Sequence, residues 1–297
     1  MAASPVPVQR VDLLPPAPAR PRDGHKGTFG KVLLLAGSRG MSGAACLSGV
    51  AALRGGAGLV TVASPAGVIP LIASFEPSYL TAPLEEDRDG RVSLEAAPRI
   101  MELLSKQTAG ACGPGLGQSP DIEELVHLIY RTCALPLVID ADGLNALAAR
   151  NSPLSRSDAA GPRVLTPHPG EFSRLTKQSL EQIEGRRVDL AVQFAAAHDV
   201  VLLLKGPDTV ITDGRRLAIN ATGNSGMATG GCGDVLTGLI AALLGQGMEA
   251  FAAAQLGAHL HGLAGDLAAA DLSEPGLIAS DLLGYLGLAW KRMLKSS

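Results

Sequence analysis

The stretch from Asn220 to Asp234 combines residue types that suit phosphate chemistry. It reads NATGNSGMATGGCGD, holds five glycines in its last twelve residues, and leads into an apolar helical pattern. Glycine lets a backbone approach a ligand with no side chain in the way. The start of a helix offers unpaired N–H groups and the positive end of the helix dipole. The segment therefore predicts a phosphate site.

Asp234 is an unexpected neighbour for such a site, because a carboxylate repels the anion that the glycines attract. Because this repulsion weakens anion binding, the carboxylate must have a task of its own. A suitable task is to remove a proton from a hydroxyl that then attacks phosphorus. The plain alternative is that residues 226–233 form only a turn and that Asp234 is only a helix N-cap. We favour the phosphate site, because the glycines extend over a long stretch and join a helix that we expect to be buried.

The composition limits the possible classes of protein. The chain has 297 residues, 46% of them hydrophobic and only 3% aromatic, which fits a core of aliphatic side chains. The net charge of −3, without any Lys/Arg cluster, argues against a nucleic-acid partner. The apolar runs fall short of about 18 residues, so we expect no membrane partner. The four cysteines form no CxxC pair, which argues against zinc and disulfides and favours a cytoplasmic location.

Alternating strands and helices would position the phosphate site. Short apolar runs such as KVLLLAG, LVTVAS and VVLLLKG predict strands buried on both faces, and residues 122–133 predict an amphipathic helix. This alternation predicts an α/β fold with a mainly parallel sheet and helices on both faces. We also expect a helix over about 180–197 and a strand that runs into a loop at VLTPHPGEF.

The chain predicts one domain, over residues 23–297, after a proline-rich lead-in over residues 1–22 that is disordered or extended. Within that domain, glycine and polar clusters follow several predicted strands, and ligands of parallel sheets bind at the carboxyl ends of strands. The polar candidates for this crevice are Asp140, Asp142, Asn145, Glu171 and Asn224. The two aspartates could support the Mg²⁺ that nucleotide phosphates generally need, although neither is assigned as a direct ligand.

Seven ordered blocks of the chain resemble one family. They are HKGTFGKVLLLAGS, MSGAA, GPGLG, DADGLNAL, LTPHPGEF, LLLKGPDTVI and NATGNSGMATGGCGDVLTG. From about His25 onward, the chain is similar to the ADP- or ATP-dependent NAD(P)H-hydrate dehydratases. The resemblance implies a ribokinase-like three-layer sandwich and a metabolite-repair hydro-lyase.

The resemblance also implies the reaction. The substrates would be (6S)-NADHX and (6S)-NADPHX, nicotinamide cofactors hydrated at ring carbon 6. ADP (or ATP) would phosphorylate the C6 hydroxyl, and the lone pair of the ring nitrogen would then expel phosphate. The products would be NADH or NADPH, phosphate and, from ADP, AMP.

Roles for single residues follow from the same resemblance. Asp234 would be the catalytic base. The hydrated cofactor would contact Asp234 together with Ala44, Gly115 and His168. The nucleotide would lie against Lys205, Gly206, Pro207, Asp208, Thr209 and Gly233. The anion hole would consist of the backbone amides of Gly230, Gly231, Cys232 and Gly233.

Several of these positions have a structural alternative. Ala44 could serve only helix packing, Gly115 only a turn, and Lys205 could extend along the surface to water. His168 lies between two prolines in a rigid loop, which is a poor place for a packing histidine, so we favour a functional role. We interpret His259 and His261 as ordinary helix residues, because positions i and i+2 do not share a helix face.

Other functions and properties stay open at this point. A small-molecule kinase that releases a vitamin-precursor phosphoester would use the same loop and base, and a nucleotide-binding sensor would need no base. Cys232 stands where similar proteins often have Ser or Thr, and the helix start could lower its thiol pKa. We expect a homo-oligomer, with the Ala/Gly-rich faces near residues 252–263 as a possible contact. Only 24 residues precede the HKG block, so we expect no epimerase activity on this chain.

Overall fold

A computed structural model describes residues 8–149 and 159–296. The strands in this part of the chain are β1 (Gln9–Arg10), β2 (Lys31–Leu35), β3 (Leu59–Pro65), β4 (Leu80–Leu84), β5 (Ala109–Cys112), β6 (Leu137–Ile139), β7 (Arg163–Leu165), β8 (Val201–Leu204), β9 (Thr209–Thr212) and β10 (Arg216–Asn220). They form one sheet in the order β1-β10-β9-β8-β7-β6-β5-β2-β3-β4. All neighbours are parallel except β8 with β9 and β9 with β10.

Helices cover both faces of this sheet. They are α1 (Ser42–Arg54), α2 (Ile69–Phe75), α3 (Ala97–Leu104), α4 (Pro120–Thr132), α5 (Asp142–Ala149), α6 (Pro169–Thr176), α7 (Leu180–Gly185), α8 (Arg187–His198), α9 (Cys232–Gly245), α10 (Ala250–Leu272) and α11 (Ala279–Ser296). Side chains of a strand point alternately to the two faces. In β2, Val32 and Leu34 join a core cluster with α1, α2 and α9–α11, whereas Leu33 and Leu35 join a second cluster with α3–α8. The predicted α/β fold, with a mainly parallel sheet between two helical layers, is confirmed.

The carboxyl ends of five parallel strands meet at one edge of the sheet. Strands β2, β5, β6, β7 and β8 are successive neighbours and run in the same direction. The loops that leave them carry GSRGM, GPGLG, DAD, TPHPG and KGPDT. The prediction that the polar clusters lie at the carboxyl ends of the strands is therefore correct.

Two predictions about helices are wrong. The helix expected over 180–197 is broken between α7 and α8 at Arg186, whose φ of −138° and ψ of 36° are not helical. The loop expected within VLTPHPGEF covers only residues 166–168, because α6 begins at Pro169. Proline is common at the first position of a helix, since that N–H would have no partner in any case. Strands β1 and β10 and helix α2 were not anticipated.

The described part of the lead-in lies against the domain. Strand β1 pairs with β10, and the N–H of Val11 donates to the carbonyl of Leu217 at 2.8 Å. The Arg20 guanidinium stacks on the Phe29 ring at 4.3 Å. Residues 1–7 are outside the described range, and the domain boundary near residue 22 stays a prediction.

The small residues of helix α10 pack closely against other parts of the same chain. A Cβ on Gly257 would lie 2.6 Å from the Ile240 side chain, and one on Gly262 would lie 2.3 Å from the Thr222 hydroxyl. The suggestion that the Ala/Gly-rich faces near 252–263 contact neighbouring molecules is therefore wrong for most of this segment, which is buried against α9 and α11. None of the helices in the described residues has both the length and the apolar content to cross a bilayer.

Candidate functional site

The start of α9 is shaped by glycine. Gly231 is the N-cap, with φ +97°, and a Cβ there would lie 2.6 Å from the Leu47 side chain. Asp234 is the third residue of the helix, so the alternative that it is only the N-cap is wrong. The backbone N–H groups of residues 232–234 donate to no acceptor within the described part of the chain. Free N–H groups at the positive end of a helix are what an anion site requires.

Asp140 links the end of β6 to β8 and α9. Its side chain is 1% exposed and accepts from Lys205 Nζ on Oδ1 and from Thr237 Oγ1 on Oδ2, both at 2.8 Å. Thr237 lies one turn after Asp234 on α9. A Cβ on Gly233 would lie 3.2 Å from Lys205 Nζ and 3.4 Å from Asp140 Oδ2. A side chain at position 233 would therefore crowd this ion pair beside the helix start.

The charges around Asp234 differ in sign, and burial has the largest effect on the pKa of its carboxyl group. Burial raises the pKa of Asp234 to about 7, the negative charge of Asp140 adds to the rise, and Lys205 opposes it. Burial lowers the pKa of Lys205, but Asp140 and Glu171 outweigh burial, so the net shift is upward. Asp234 is thus a carboxylate that can gain and lose a proton near neutral pH, beside a lysine that stays charged. A general base is most useful with such a pKa.

Lys205 faces the interior of the crevice. Its side chain is 22% exposed and lies 3.8 Å from Glu171 Oε2 in addition to its bond with Asp140. Its backbone N–H donates to the Pro167 carbonyl at 2.8 Å. The alternative that Lys205 extends along the surface to water is wrong, because its ammonium group is held between two carboxylates.

The segment after Lys205 is a tight turn. Gly206 has φ +141° and Asp208 has φ +52°, while the Thr209 hydroxyl donates to the Gly206 carbonyl at 2.8 Å. Pro207 and Asp208 are exposed. The turn therefore offers its backbone to solvent directly beside the Lys205–Asp140 pair.

His168 has a structural task that the sequence did not suggest. It is the N-cap of α6, and its Nδ1 accepts from the N–H of Gly170 at 3.0 Å. Glu171 returns the contact, since its Oε2 accepts from the His168 backbone N–H at 2.8 Å. Burial lowers the pKa of His168, as do the nearby cations Lys205 and Arg174. The imidazole is therefore neutral at pH 7, half-exposed, and fixed in orientation.

Glu171 is the buried member of this pair. Its carboxylate is 7% exposed, and burial raises its pKa although Lys205 opposes the shift. Glu171 thus belongs to the same group of charges as Asp140, Lys205 and Asp234. The prediction of a shared crevice holds for these four residues.

Ala44 and Gly115 lie in contact on the α1 side of the crevice. Gly115 has φ +62°, and a Cβ there would lie 2.9 Å from the Ala44 Cβ. The Ser38 hydroxyl donates to the Gly115 carbonyl at 2.8 Å. Helix α1 packs against α9. The two predicted hydrate contacts are therefore neighbours, packed so closely that a side chain at position 115 would clash with Ala44.

Asp142 and Asn145 connect the neighbouring loops. Asp142 accepts from the Gly117 N–H at 2.8 Å and from the Asn145 side chain at 3.3 Å. Arg174 on α6 donates to the side-chain Oδ1 of Asn145 at 2.9 Å. These polar groups brace the loops around the crevice.

Asn224 bonds elsewhere. Its amide donates to Asp266 on α10 at 3.1 Å, and the Gly223 N–H donates to the same carboxylate at 3.0 Å. The Ser225 hydroxyl donates to Glu274. These contacts attach the glycine-rich segment to α10 and to the loop that follows it, and they do not place the Asn224 amide among the charges around Asp234.

Cys232 and His261 both differ from expectation. Burial raises the pKa of Cys232 to about 11, so the suggested low-pKa, oxidisable thiol is wrong. His261 is more than an ordinary helix residue, because its Nε2 donates to the Cys232 carbonyl at 2.9 Å. Burial lowers the pKa of His261 to about 4, which keeps the ring neutral. The bond attaches α10 to the first turn of α9.

Sequence reasoning missed three residues of the site: Thr237, Arg187 and His261. A lone hydroxyl in the apolar run VLTGLIAALL was a usable signal for Thr237, since a buried hydroxyl needs a partner. Arg187 donates to the backbone carbonyls of Leu204 and Lys205. No local pattern indicates that contact.

Comparisons with known proteins point to one family. A family model described as NAD(P)H-hydrate dehydratase matches residues 32–286. The bifunctional NAD(P)H-hydrate repair enzyme Nnr of Moorella thermoacetica is 45% identical over 271 residues, covering 91% of this chain and 51% of that protein. The ADP-dependent (S)-NAD(P)H-hydrate dehydratase of Bacillus subtilis is 37% identical, covering 93% of this chain and 94% of that protein.

A solved structure has the same fold. The ADP/ATP-dependent NAD(P)H-hydrate dehydratase from Bacillus subtilis, co-crystallized with ATP/Mg²⁺, matches with a TM-score of 0.79 and 35% identity over 93% of this chain and 94% of that one. The architecture is therefore the ribokinase-like three-layer sandwich that the resemblance implied. The chain belongs to the NAD(P)H-hydrate dehydratase family. It spans about half the length of the bifunctional relatives it matches.

Proposed function

We propose that this chain is a hydro-lyase that dehydrates (6S)-NADHX and (6S)-NADPHX to NADH and NADPH with consumption of ADP. One observation carries the proposal: Asp234, with a pKa of about 7, lies in the first turn of a glycine-preceded helix whose N–H groups are free. Family membership supplies the substrate class. The relatives are an NAD(P)H-hydrate repair enzyme and an ADP-dependent NAD(P)H-hydrate dehydratase.

The first step would be removal of the hydroxyl proton. The Asp234 carboxylate takes the proton from the C6 hydroxyl, and the hydroxyl oxygen attacks the terminal phosphorus of ADP, with AMP as the leaving group. A positioned general base typically contributes about 10²–10⁴-fold to the rate. Near neutral pH, a base with a pKa of about 7 is ionised often enough to accept the proton and can later release it.

The phosphoryl group would be held by backbone and lysine together. The amides of Gly230, Gly231, Cys232 and Gly233 would stabilise its negative charge as an anion hole, with Lys205 beside them. Charge-stabilising donors of this kind are worth about 10²–10³-fold each. The nucleotide would lie on the turn of residues 205–209, and the hydrated ring would lie near Ala44, Gly115 and His168.

The second step would release phosphate. The lone pair of the ring nitrogen expels phosphate from C6, and a proton leaves the adjacent ring carbon, which restores the reduced nicotinamide. Phosphorylation matters here because hydroxide is a poor leaving group and phosphate a good one. Over the two steps, the substrate loses the elements of water, and one phosphoanhydride bond of the nucleotide is cleaved.

Mg²⁺ would enter with the nucleotide. Within the described residues no three His, Cys, Asp or Glu side chains are grouped to hold a metal ion. Both oxygens of Asp140 already accept hydrogen bonds. Nucleotide phosphates and water would therefore supply most of the ligands, as is common for Mg²⁺. We also propose a cytoplasmic location and a homo-oligomeric state, with residues 23–297 as the catalytic domain.

The test is a product assay. Purified protein is incubated with (6S)-NADHX and either ADP or ATP, with a nucleotide-free reaction as the control. We expect NADH absorbance and free phosphate to rise together, and AMP to form from ADP. A stable phosphoester of an added alcohol, without NADH formation, would identify a small-molecule kinase instead. Nucleotide binding with no product of either kind would identify a sensor.

A further inference from the structure

Arg187 lies at the first position of α8 and reaches the end of β8. Its Nη2 donates to the carbonyl of Leu204 at 2.8 Å and to the carbonyl of Lys205 at 2.7 Å. These two carbonyls belong to the last residue of the strand and the first residue of the turn over 205–209. Hydrogen bonds from a charged donor are stronger than neutral ones. One guanidinium thus fixes the direction in which the chain leaves the sheet.

The turn is also shaped to receive this guanidinium. Gly206 has φ +141°, and a Cβ at that position would lie 2.6 Å from Arg187 Nη1 and 2.7 Å from Nη2. The absence of a side chain at residue 206 therefore lets the guanidinium lie directly against the backbone. The negative charge of Asp208, in the same turn, acts on Arg187 as well.

The backbone carbonyl, the backbone N–H and the ammonium group of Lys205 therefore each have a hydrogen-bond partner. Its carbonyl accepts from Arg187, its backbone N–H donates to the Pro167 carbonyl at 2.8 Å, and its Nζ donates to Asp140 at 2.8 Å. The arginine contact is the one among these that comes from outside the crevice. If it were lost, the Pro167 carbonyl would still hold the Lys205 N–H, while the turn beyond Lys205 would be free to move.

We propose that Arg187 is a positioning residue for the nucleotide site, holding the turn over residues 205–209 in the shape that binds a nucleoside diphosphate. This inference rests on the proposed function, since it assumes that the nucleotide lies on that turn. Arg187 itself does not take part in the chemistry. Its effect should therefore fall on nucleotide affinity and spare the affinity for the hydrated cofactor.

The experiment compares Arg187→Met and Arg187→Lys with Arg186→Met. Arg186 is the matched control, because it is the preceding residue, its side chain is 58% exposed, and its ion pair with Asp189 is 3.9 Å long. For each purified variant, the Kd for ADP is measured by calorimetry and the KM values for ADP and (6S)-NADHX are measured separately. A thermal melt reports on the integrity of the fold.

Arg187→Met should raise the Kd and the KM for ADP about tenfold or more, which is the scale expected for lost hydrogen bonds from a charged donor. The KM for (6S)-NADHX should stay within about twofold, and Arg186→Met should behave as wild type. Arg187→Lys should recover part of the ADP affinity, since a lysine can reach a carbonyl but cannot lie flat against Gly206.

Two results would overturn the inference. One is wild-type ADP affinity in Arg187→Met, and the other is an equal rise of both KM values, which would indicate general damage. If Arg187→Met does not fold, Arg187→Lys decides the matter on the same two measurements. A wild-type protein that binds no ADP would refute the proposed function itself, and that outcome is distinct from either of these.

Discussion

Asp140 at the end of β6 and Asp234 in the first turn of α9 are carboxylates of the same crevice with different surroundings. Asp140 is 1% exposed and accepts from a lysine ammonium and a threonine hydroxyl, each at 2.8 Å. The structure records no side-chain partner for Asp234 in the described residues. Burial raises the pKa of Asp234 to about 7, with Asp140 adding to the rise.

This difference separates two tasks. A carboxylate with two short hydrogen bonds is fixed in position and holds its partners in place. A carboxylate that is buried, unpartnered and next to another negative charge has a high proton affinity, as a general base requires. Asp140 therefore positions Lys205 and α9, and it also strengthens the base without touching it. The comparison can be tested by substitutions at Asp234, at Asp140 and at their neighbours.

Asp234→Asn should have the largest effect. We expect kcat/KM for (6S)-NADHX to fall by about 10²–10⁴-fold, because the base is lost while the volume is kept. In the wild type, kcat/KM should rise as the pH increases through about 7, the pKa of Asp234, and the variant should lack this limb. ADP affinity should be equal or higher, since a like charge is removed. Steady-state kinetics against pH and calorimetry provide both measurements.

Asp281→Asn is the matched control for this variant. Asp281 is the third residue of α11, as Asp234 is of α9, and its Oδ2 accepts from the Ile278 N–H at 2.9 Å. It should affect the helix end and leave kcat/KM nearly unchanged. Wild-type turnover by Asp234→Asn would refute the role of the base.

Asp234→Asn should also change the pH dependence of stability. The pKa of Asp234 is raised from an ordinary 3.8 to about 7, so between these values the folded chain holds a proton that the unfolded chain has released. Wild-type stability must then fall as the pH rises through this window. Asn cannot ionise, so the gain in Tm of Asp234→Asn over the wild type should be larger above pH 7 than near pH 4. A gain that does not change with pH would contradict the raised pKa.

Asp140→Asn should have the next largest effect. It removes the charge that pairs with Lys205, and breaking a buried ion pair by removing one partner typically costs about 3–5 kcal/mol. It also removes a like charge next to Asp234, so the acid limb of kcat/KM should move to lower pH. The charges that remain around Asp234 are Lys205, Asp142 and Glu171. Thermal melts and the pH profile test the two effects separately.

Asp142→Asn is the control for the shift of the acid limb in the pH profile of kcat/KM. Asp142 also raises the pKa of Asp234, but it contributes less than Asp140. Its own partners are the Gly117 N–H and the Asn145 side chain. It should therefore shift the limb in the same direction and by less. An acid limb that stays in place in Asp140→Asn would mean that burial alone sets the pKa of the base.

The sequence predicted those parts of the site that depend on local pattern. The glycines before α9, the position of Asp234 near a helix start, and the polar residues after each parallel strand follow from turn chemistry and from the sheet rule. Parallel strands end at one edge, so Asp140 and Lys205 could be placed in one crevice although they are 65 residues apart. The family resemblance then supplied the reaction.

The rest depends on tertiary contacts that leave no local signal. Whether Lys205 turns outward to water or inward to Asp140 is decided by a carboxylate on another strand. The helix beginning at Pro169 was missed because proline also marks loops, and because a histidine is an uncommon N-cap. The reach of Arg187 to the end of β8 depends on how α8 packs on the sheet. Patterns in one chain do not fix such side-chain directions.

Thr237→Val should have the smallest effect and sharpens the comparison most. Thr237 is fully buried and donates to Asp140 Oδ2, and valine keeps its shape while removing the hydroxyl. The loss of the hydrogen bond should cost about 1–3 kcal/mol of stability, because a buried acceptor loses one partner. The charge of Asp140 is kept, so the acid limb should not move to lower pH, in contrast to Asp140→Asn.

The two variants therefore separate charge from position. If Asp140 acts on Asp234 through its charge, only the asparagine variant shifts the acid limb, whereas both variants lower the Tm. If it acts by holding α9 in place, Thr237→Val should lower kcat, because the helix start that carries Asp234 moves while the charge of Asp140 and its pairing with Lys205 are kept. A Thr237→Val enzyme with an acid limb shifted as far as that of Asp140→Asn would show that the hydrogen bond, and not the negative charge, controls the proton affinity of the base.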